Sequence, residues 1–337
     1  MLGPEAGGMV VTVLGGNGQL GAACCAELVR RAVPARATVR DARRAAGLAV
    51  AVDVVELDLT AGSAARRRAL EGSECVILSA NAVAPRSGDH PQAVDRAMVD
   101  LVGDAEAVGV RRLVLPSIPV TRADDAVPFA RGRRALERRV LDSPLESWVL
   151  RFPPFMECWL ALVGSSVPLR GEPHATIGRP SPFLRRFRGV TSRLVEDRGV
   201  MLVPGPAAHR HAFIAVGDAA RACVAAALRP DAATDPLQVA GPEVLSWTDV
   251  SGAFAGVLGR RVRVLTTPAV VFAGAARLLG PVAEVPARTM ALNYFMAAEA
   301  TPWTDAGGGL VDPSSMTTVE QLLRAKAALP DRPPAVV

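Results

Sequence analysis

The sequence predicts an α/β protein: a doubly wound parallel sheet with a smaller, partly helical lobe. Two observations point there. Short apolar, β-branched runs alternate with helix-forming stretches through the first 150 residues. The first of these runs opens into a glycine turn and then a helix, VTVLGGNGQLGAACCAEL at residues 11 to 28. Strands separated by such helices imply crossover connections, and therefore parallel pairing.

Val10 to Leu14 is apolar and β-branched, the pattern of a strand covered on both faces, and residues 22 to 32 follow as a helix. Ala37 to Arg40 is a short second strand, Ala51 to Leu57 a third, and Gly62 to Leu70 a helix. Cys75 to Ala80 makes the fourth strand, Pro91 to Ala107 a helix, and Arg112 to Leu115 the fifth strand. Phe129 to Leu141 then reads as a helix and Ser147 to Leu150 as the sixth strand. From about residue 153 prolines and glycines thicken and the alternation fails. Residues 153–210 therefore read as an irregular lobe and 245–330 as helices packed on the sheet, with a mobile tail, LPDRPPAVV.

Gly15, Gly18 and Gly21 recur at a spacing of three between the first strand and its helix. The first allows a tight turn and the second lets backbone approach a pyrophosphate. The third lets helix and strand pack closely, with the helix N-terminus facing the phosphates. Alone the pattern is weak; between a strand and a helix it predicts a Rossmann-type dinucleotide site. The candidate contacts are Gly15, Asn17, Gly18, Gln19, Leu20 and Gly21. The expected organisation is a dinucleotide-binding domain at 1–152, then a substrate lobe and C-terminal helices at 153–330, returning to the sheet around 210–245.

Cofactor choice is read at the end of the second strand, where an acidic residue would hold the ribose diol and an arginine a 2′-phosphate. Arg40 stands there, with Arg43 and Arg44 behind it, and favours NADPH; Asp41 is the competing signal for NADH. Asp58 in ELDLT reaches the adenine edge through its side chain or the Leu59 backbone, or else caps a helix.

Composition narrows the partners. Half the residues are hydrophobic, and the net charge is +5. No uninterrupted apolar run reaches the ~18 residues of a membrane span. Residues 268–283 come nearest, broken by Pro268, Arg277 and Pro281. The opening MLGPEAGG lacks the basic and apolar regions of a signal peptide. Cys24, Cys25, Cys75, Cys158 and Cys223 are odd in number and show no CxxC spacing, so a reduced, cytoplasmic protein is expected. The densest basic run, FLRRFRGVTSR at 183–193, has few stacking aromatics and matches no nucleic-acid module. A small anionic ligand suits the charge, and neither nucleic acid nor membrane is expected as a partner.

In order and spacing, GGNGQLG, ELDLT, CVILSANA, GVRRLVLPS, LESWVLRFPPFME, HAFIAVGDAARA and GPEVLSW are similar to the NmrA-like, atypical branch of the short-chain dehydrogenase/reductases. The resemblance covers about residues 9–265. It implies that Ser79, Ala80 and Asn81 line the nicotinamide side and that Phe152, Pro153 and Phe155 close over it. It also implies a serine at the end of the fifth strand, which Ser117 matches, and Tyr-x-x-x-Lys on the next helix as the acid. Here FARGR aligns instead, with Phe129 at the tyrosine position and Arg133 at the lysine position. The departure does not depend on alignment, because Tyr294 and Lys326 are the sole tyrosine and lysine of the chain.

Two function classes follow. The first is an NADPH-dependent ketoreductase whose substrate supplies the proton through a phenol beside its ketone, with Ser117 orienting the oxygen and Arg133 supporting it. Aromatic polyketides carry that arrangement. More loosely, the chain resembles the angucyclinone ketoreductases of simocyclinone (antibiotic) biosynthesis, which lack the tyrosine. The second is a non-enzymatic NADP(H)-binding sensor of the NmrA type, which would tolerate the loss of the acid. Epimerisation or carbon–carbon double-bond reduction are remoter readings. A closed apolar pocket favours the reductase, and Met156 and Trp159 are expected to build it beside Phe129. His90, in the loop after the fourth strand, and His211, on a strand leading into AFIAV, are expected at its edge. His209 and His211 find no third ligand of suitable spacing, so no metal is expected. Ser117 lacks the glycines of a nucleophile elbow, which leaves hydrolysis unsupported.

Overall fold

The computed structural model describes residues 9–45, 47–48, 50–81, 83, 90–178, 182–233, 235–280 and 283–331. The opening MLGPEAGG and positions 332–337 of the tail lie outside them. In chain order the strands are β1 (Val11–Leu14), β2 (Ala35–Val39), β3 (Val52–Glu56), β4 (Cys75–Ile77), β5 (Arg112–Ser117) and β6 (Glu146–Arg151). Then come β7 (Val200–Pro204), β8 (Arg210–His211), β9 (Leu237–Gln238), β10 (Leu245–Ser246) and β11 (Arg263–Thr267). Seven of them form a parallel sheet in the order β3-β2-β1-β4-β5-β6-β9. The order reverses between β1 and β4, the place where an open α/β sheet leaves a crevice at its carboxyl edge.

Helices cover both faces. On one side α1 (Gln19–Arg30) packs with α7 (Val216–Leu228), burying Cys24, Cys25, Leu28 and Cys223 against β1 and β4. On the other, α2 (Ser63–Leu70), α3 (Pro91–Ala107) and α4 (Pro128–Leu141) bury Leu70, Leu101, Leu136 and Val140. Double coverage explains why β1 and β4 are buried at every position rather than on alternate ones.

The lobe has its own core around Leu160, Val203, Phe213, Trp247 and Phe254. It contains α5 (Met156–Leu162), α6 (Pro182–Thr191), α8 (Trp247–Leu258), the α9 (Ala269–Leu279) and α10 (Glu284–Ala298) pair, and α11 (Val319–Ala327). Two small strand pairs, β7 with β11 and β8 with β10, stiffen it. α6 carries most of the basic run at 183–193, of which the side chains at 183–185 lie outside the described residues. Among the described residues no helix is long and apolar enough to cross a membrane.

Most expected strands shift by only one or two residues at an end, but two differ by more. The fourth ends at Ile77 instead of Ala80, because Ser79 turns its hydroxyl back onto Leu14 O at 2.5 Å and the chain bends over the glycine turn. The strand into AFIAV stops at His211, because the next backbone groups bond outside it: Ala212 N donates to Thr301 O and Ile214 N to Pro154 O. The stretch thereby ties the lobe to the segment leaving β6.

Candidate active site

The glycine turn is built around Thr38 of β2, whose hydroxyl accepts from Gly15 N at 3.2 Å while its carbonyl accepts from Gly16 N at 2.9 Å. Gly15 has φ +73°, the left-handed region. Gly21 is glycine for a different reason: a Cβ there would lie 2.3 Å from Gly15 O and 2.9 Å from Ser79 Oγ. The first turn of α1 thus comes close to the strand, with Gly18 as an N-cap that offers no side-chain bond. Its N–H groups are left for a ligand. Gln19 adds a donor. Its Oε1 accepts from Cys158 Sγ at 3.0 Å and Thr176 N at 3.3 Å, which leaves its buried Nε2 without a partner among the described residues. A close backbone cradle, open N–H groups and an orphaned amide fit a pyrophosphate.

At the end of β2 Arg40 is exposed and lines the cavity. Asp41 is not among the lining residues: it accepts from Arg43 N and pairs with Arg43 Nε, both at 3.1 Å, capping the turn at Ala42–Arg44. The Arg44 side chain lies outside the described residues. Asp58 spends its carboxylate as a cap, accepting from Thr60 N at 2.9 Å and Thr60 Oγ1 at 2.8 Å. Asp58 and Leu59 both still line the cavity.

One cavity of about 420 Å³ joins this end to the carboxyl edge of β4, β5 and β6. Ser79, Ala80 and Asn81 form one wall, and Phe152, Pro153 and Phe155 another. Ser117 closes β5 and is buried; its Oγ donates to Glu137 Oε1, a residue the sequence reading did not single out. Arg133 is buried as well, its Nη1 donating to Pro116 O at 3.4 Å and its Nη2 to Ala80 O at 3.2 Å. Burial lowers its pKa to about 10, with the charges of Asp95 and Glu137 working the other way. Its guanidinium carbon lies 5.5 Å from the centre of the Phe129 ring, a cation–π stack. Neither Tyr294 nor Lys326 lines the cavity: Tyr294 packs in the cluster around Phe129, and Lys326 pairs with Glu172 at 2.5 Å.

The residues expected at the substrate divide. His90, Phe129 and Trp159 line the cavity. Met156 does not; its side chain is wholly buried in the lobe core, in one cluster with Phe213 and Trp247. His211 is also displaced from the expected role. It is fully buried, with Nδ1 3.0 Å from Thr301 Oγ1 and its ring 5.7 Å from both Phe213 and Trp247. Burial, with a smaller contribution from His209, pushes its pKa down to about 3, so it is neutral packing material. Among the described residues no three His, Cys, Asp or Glu side chains gather as metal ligands.

The sequence reading missed α10, which contributes Thr289, Leu292, Asn293, Phe295 and Met296 to the cavity, with Glu299 just beyond. The signal available was weak: Thr289 and Asn293, four apart on a largely apolar helix, share a face.

Residues 15–146 match the NAD(P)H-binding family model and form an NAD(P)H-binding domain. No curated protein matches the chain significantly. Among solved structures the chain is similar to an NADPH-dependent quinone oxidoreductase from Escherichia coli, at 20% identity over 94% of this chain and 98% of that one, TM-score 0.64. It is similar to the triphenylmethane reductase of Citrobacter sp., at 15% identity over 94% and 99%, TM-score 0.70. A nucleoside-diphosphate-sugar epimerase from Staphylococcus aureus matches at 16% identity over 94% and 100%, TM-score 0.68. The two reductases have also been solved with NADPH and NADP(H) respectively. At these identities the likeness is one of fold.

Proposed function

We propose that this NAD(P)H-binding domain serves a ketoreductase of the NmrA-like, atypical short-chain dehydrogenase/reductase type, acting on a carbonyl of an aromatic, polyketide-like compound. The observation that carries the reading is one cavity that runs from the glycine turn to an aromatic ceiling of Phe129, Phe155, Trp159 and Phe295, past the buried cation of Arg133. The α1 N-terminus and Gln19 would hold the pyrophosphate, and Arg40 the 2′-phosphate that favours NADPH. Bound NADPH would supply a hydride.

Arg133 keeps N–H groups beyond the two that bind Ala80 O and Pro116 O, and turns its charge toward oxygen as negative charge develops there. Lowered to about 10, it stays protonated at neutral pH, so it holds charge and delivers no proton. The proton comes from a hydroxyl that the substrate carries beside its carbonyl, and water restores that hydroxyl afterwards.

The test compares an aromatic ketone bearing a neighbouring phenol with its O-methyl ether, each with NADPH. A positioned acid contributes ~10²–10⁴-fold, so the ether should lose at least ~100-fold in kcat/KM. Comparable rates would put the donor in the protein. No turnover of either compound, alongside tight NADPH binding, would overturn the reading in favour of a non-catalytic NADP(H)-binding regulator.

A further inference from the structure

A serine beside a reacting carbonyl helps only if its proton is free, and in this chain it is not. Ser117 Oγ donates into the interior, to Glu137 Oε1. The same carboxylate oxygen accepts from Arg134 Nη1 and from Arg151 Nε, and the other oxygen accepts from Arg151 Nη2 at 2.7 Å. Burial acts to raise the pKa of Glu137, but the bonds from Arg151 and Ser117 and the Arg134 charge outweigh it and hold the carboxyl below its usual range. An ionised carboxylate is an acceptor only, so the hydroxyl between it and the cavity has to be the donor. The lone pairs of Ser117 are what remain for the cavity, and no other donor from the described residues reaches them.

We infer that Ser117 is a hydrogen-bond acceptor toward substrate, fixed in that polarity by Glu137, and that it selects carbonyl compounds with a hydroxyl beside the carbonyl. The inference rests on the ketoreductase reading and adds which edge of the substrate the protein recognises. A bare carbonyl oxygen would meet Ser117 lone pair to lone pair. A hydroxyl hydrogen shared between Ser117 Oγ and the carbonyl oxygen satisfies both acceptors. As the carbonyl π bond gives way to a new C–H bond, its oxygen takes that hydrogen as a proton and leaves a phenolate, which water reprotonates. Ser117 keeps its own proton throughout. Glu137 touches no reacting atom and is a positioning residue.

Glu137→Gln gives the serine a neighbour that donates as well as accepts, which lets Ser117 turn its proton to the cavity. The kcat/KM ratio of hydroxy ketone to methyl ether, ~100-fold or more in the unaltered protein, should fall at least ~10-fold in E137Q. Once Ser117→Ala has removed the hydroxyl, E137Q should no longer move the ratio. A ratio unchanged within ~2-fold in E137Q, or a change that survives S117A, overturns the inference.

A binding measurement covers the case in which E137Q does not fold: titration of the NADP⁺-loaded protein with both ketones. S117A should weaken the hydroxy ketone ~10-fold and the ether less than ~2-fold. Equal losses would mean that Ser117 serves the carbonyl, and would overturn the inference. Turnover by the unaltered protein decides the reductase reading separately.

Discussion

Replacing Gly21 with alanine tests how far the cofactor site depends on close approach between α1 and β1. The new methyl carbon would lie 2.3 Å from Gly15 O and 2.9 Å from Ser79 Oγ. The first is backbone in the turn itself and cannot rotate away, so α1 has to retreat by about 1 Å to reach an ordinary contact. Overpacking of this kind costs about 1–3 kcal/mol, against roughly 1 kcal/mol gained in helix propensity. Stability should therefore change little or fall modestly. The larger effect is on binding, because the retreating turn carries the N–H groups proposed to hold the pyrophosphate. Losing one charge-assisted bond, about 1.5–3 kcal/mol, weakens NADPH by roughly 10- to 150-fold. Fluorescence titration with NADPH measures this. Gly252→Ala is the control, since Gly252 is exposed in α8 and a Cβ there meets nothing within 4 Å. NADPH affinity in G21A within ~2-fold of the unaltered protein would refute the cradle argument.

Arg40→Ala should narrow the difference in affinity between NADPH and NADH by about 1–3 kcal/mol, read by the same titration; equal affinities in the unaltered protein would remove its basis. Phe129→Tyr should raise ketone turnover by less than ~10-fold, far short of a positioned acid, as steady-state rates would show. Glu157 is pushed up to about 7 from 4.5, mainly by burial, although Val216 N donates to both of its oxygens at 3.0 Å. A carboxyl raised on folding contributes its stability in full below 4.5 and loses it as pH rises through about 7. The Tm should therefore fall across that interval, and Glu157→Gln should flatten the fall; an identical slope in E157Q would assign the pH dependence to other groups.

What the sequence made legible was what local rules control. The run from Val11 to Leu14 is apolar because both faces of β1 are covered, and the glycine spacing follows from backbone geometry within a few residues. The residues expected at the cofactor, from Gly15 through Arg40 and Ser79 to Phe155, all line one cavity because they sit at strand ends or in the turns that follow them. Long-range partners were not legible. Nothing near Ser117 announces that Glu137, two turns beyond Phe129 on α4, will accept its hydrogen bond, or that Arg151 of the next strand will hold that carboxylate. His211 misled for a related reason: a histidine beside an exposed arginine looks accessible, but the aromatic rings that bury it come from Phe213 and from Trp247 on α8. Met156 adjoins the cavity-lining Phe155 in sequence, yet the helix begins between them and sends the two side chains apart.

Phe129 and Arg133 also show why the missing acid is not one substitution away. Arg133 is tied to two main-chain carbonyls, Pro116 O of β5 and Ala80 O of the segment after β4, while its guanidinium stacks over the Phe129 ring at 5.5 Å. A tyrosine at 129 would place its hydroxyl at the far edge of a ring whose face is already occupied. A lysine at 133 would carry a single ammonium in place of the planar fork that spans the two carbonyls, so one of these buried oxygens would lose its partner, at about 1–3 kcal/mol. Restoring a tuned phenol therefore requires both changes together and a reorganisation of the β4 and β5 ends. In the proposed ketoreductase the buried charge would hold a negative oxygen rather than sharpen an acid. Such a site gains from a substrate that brings its own proton.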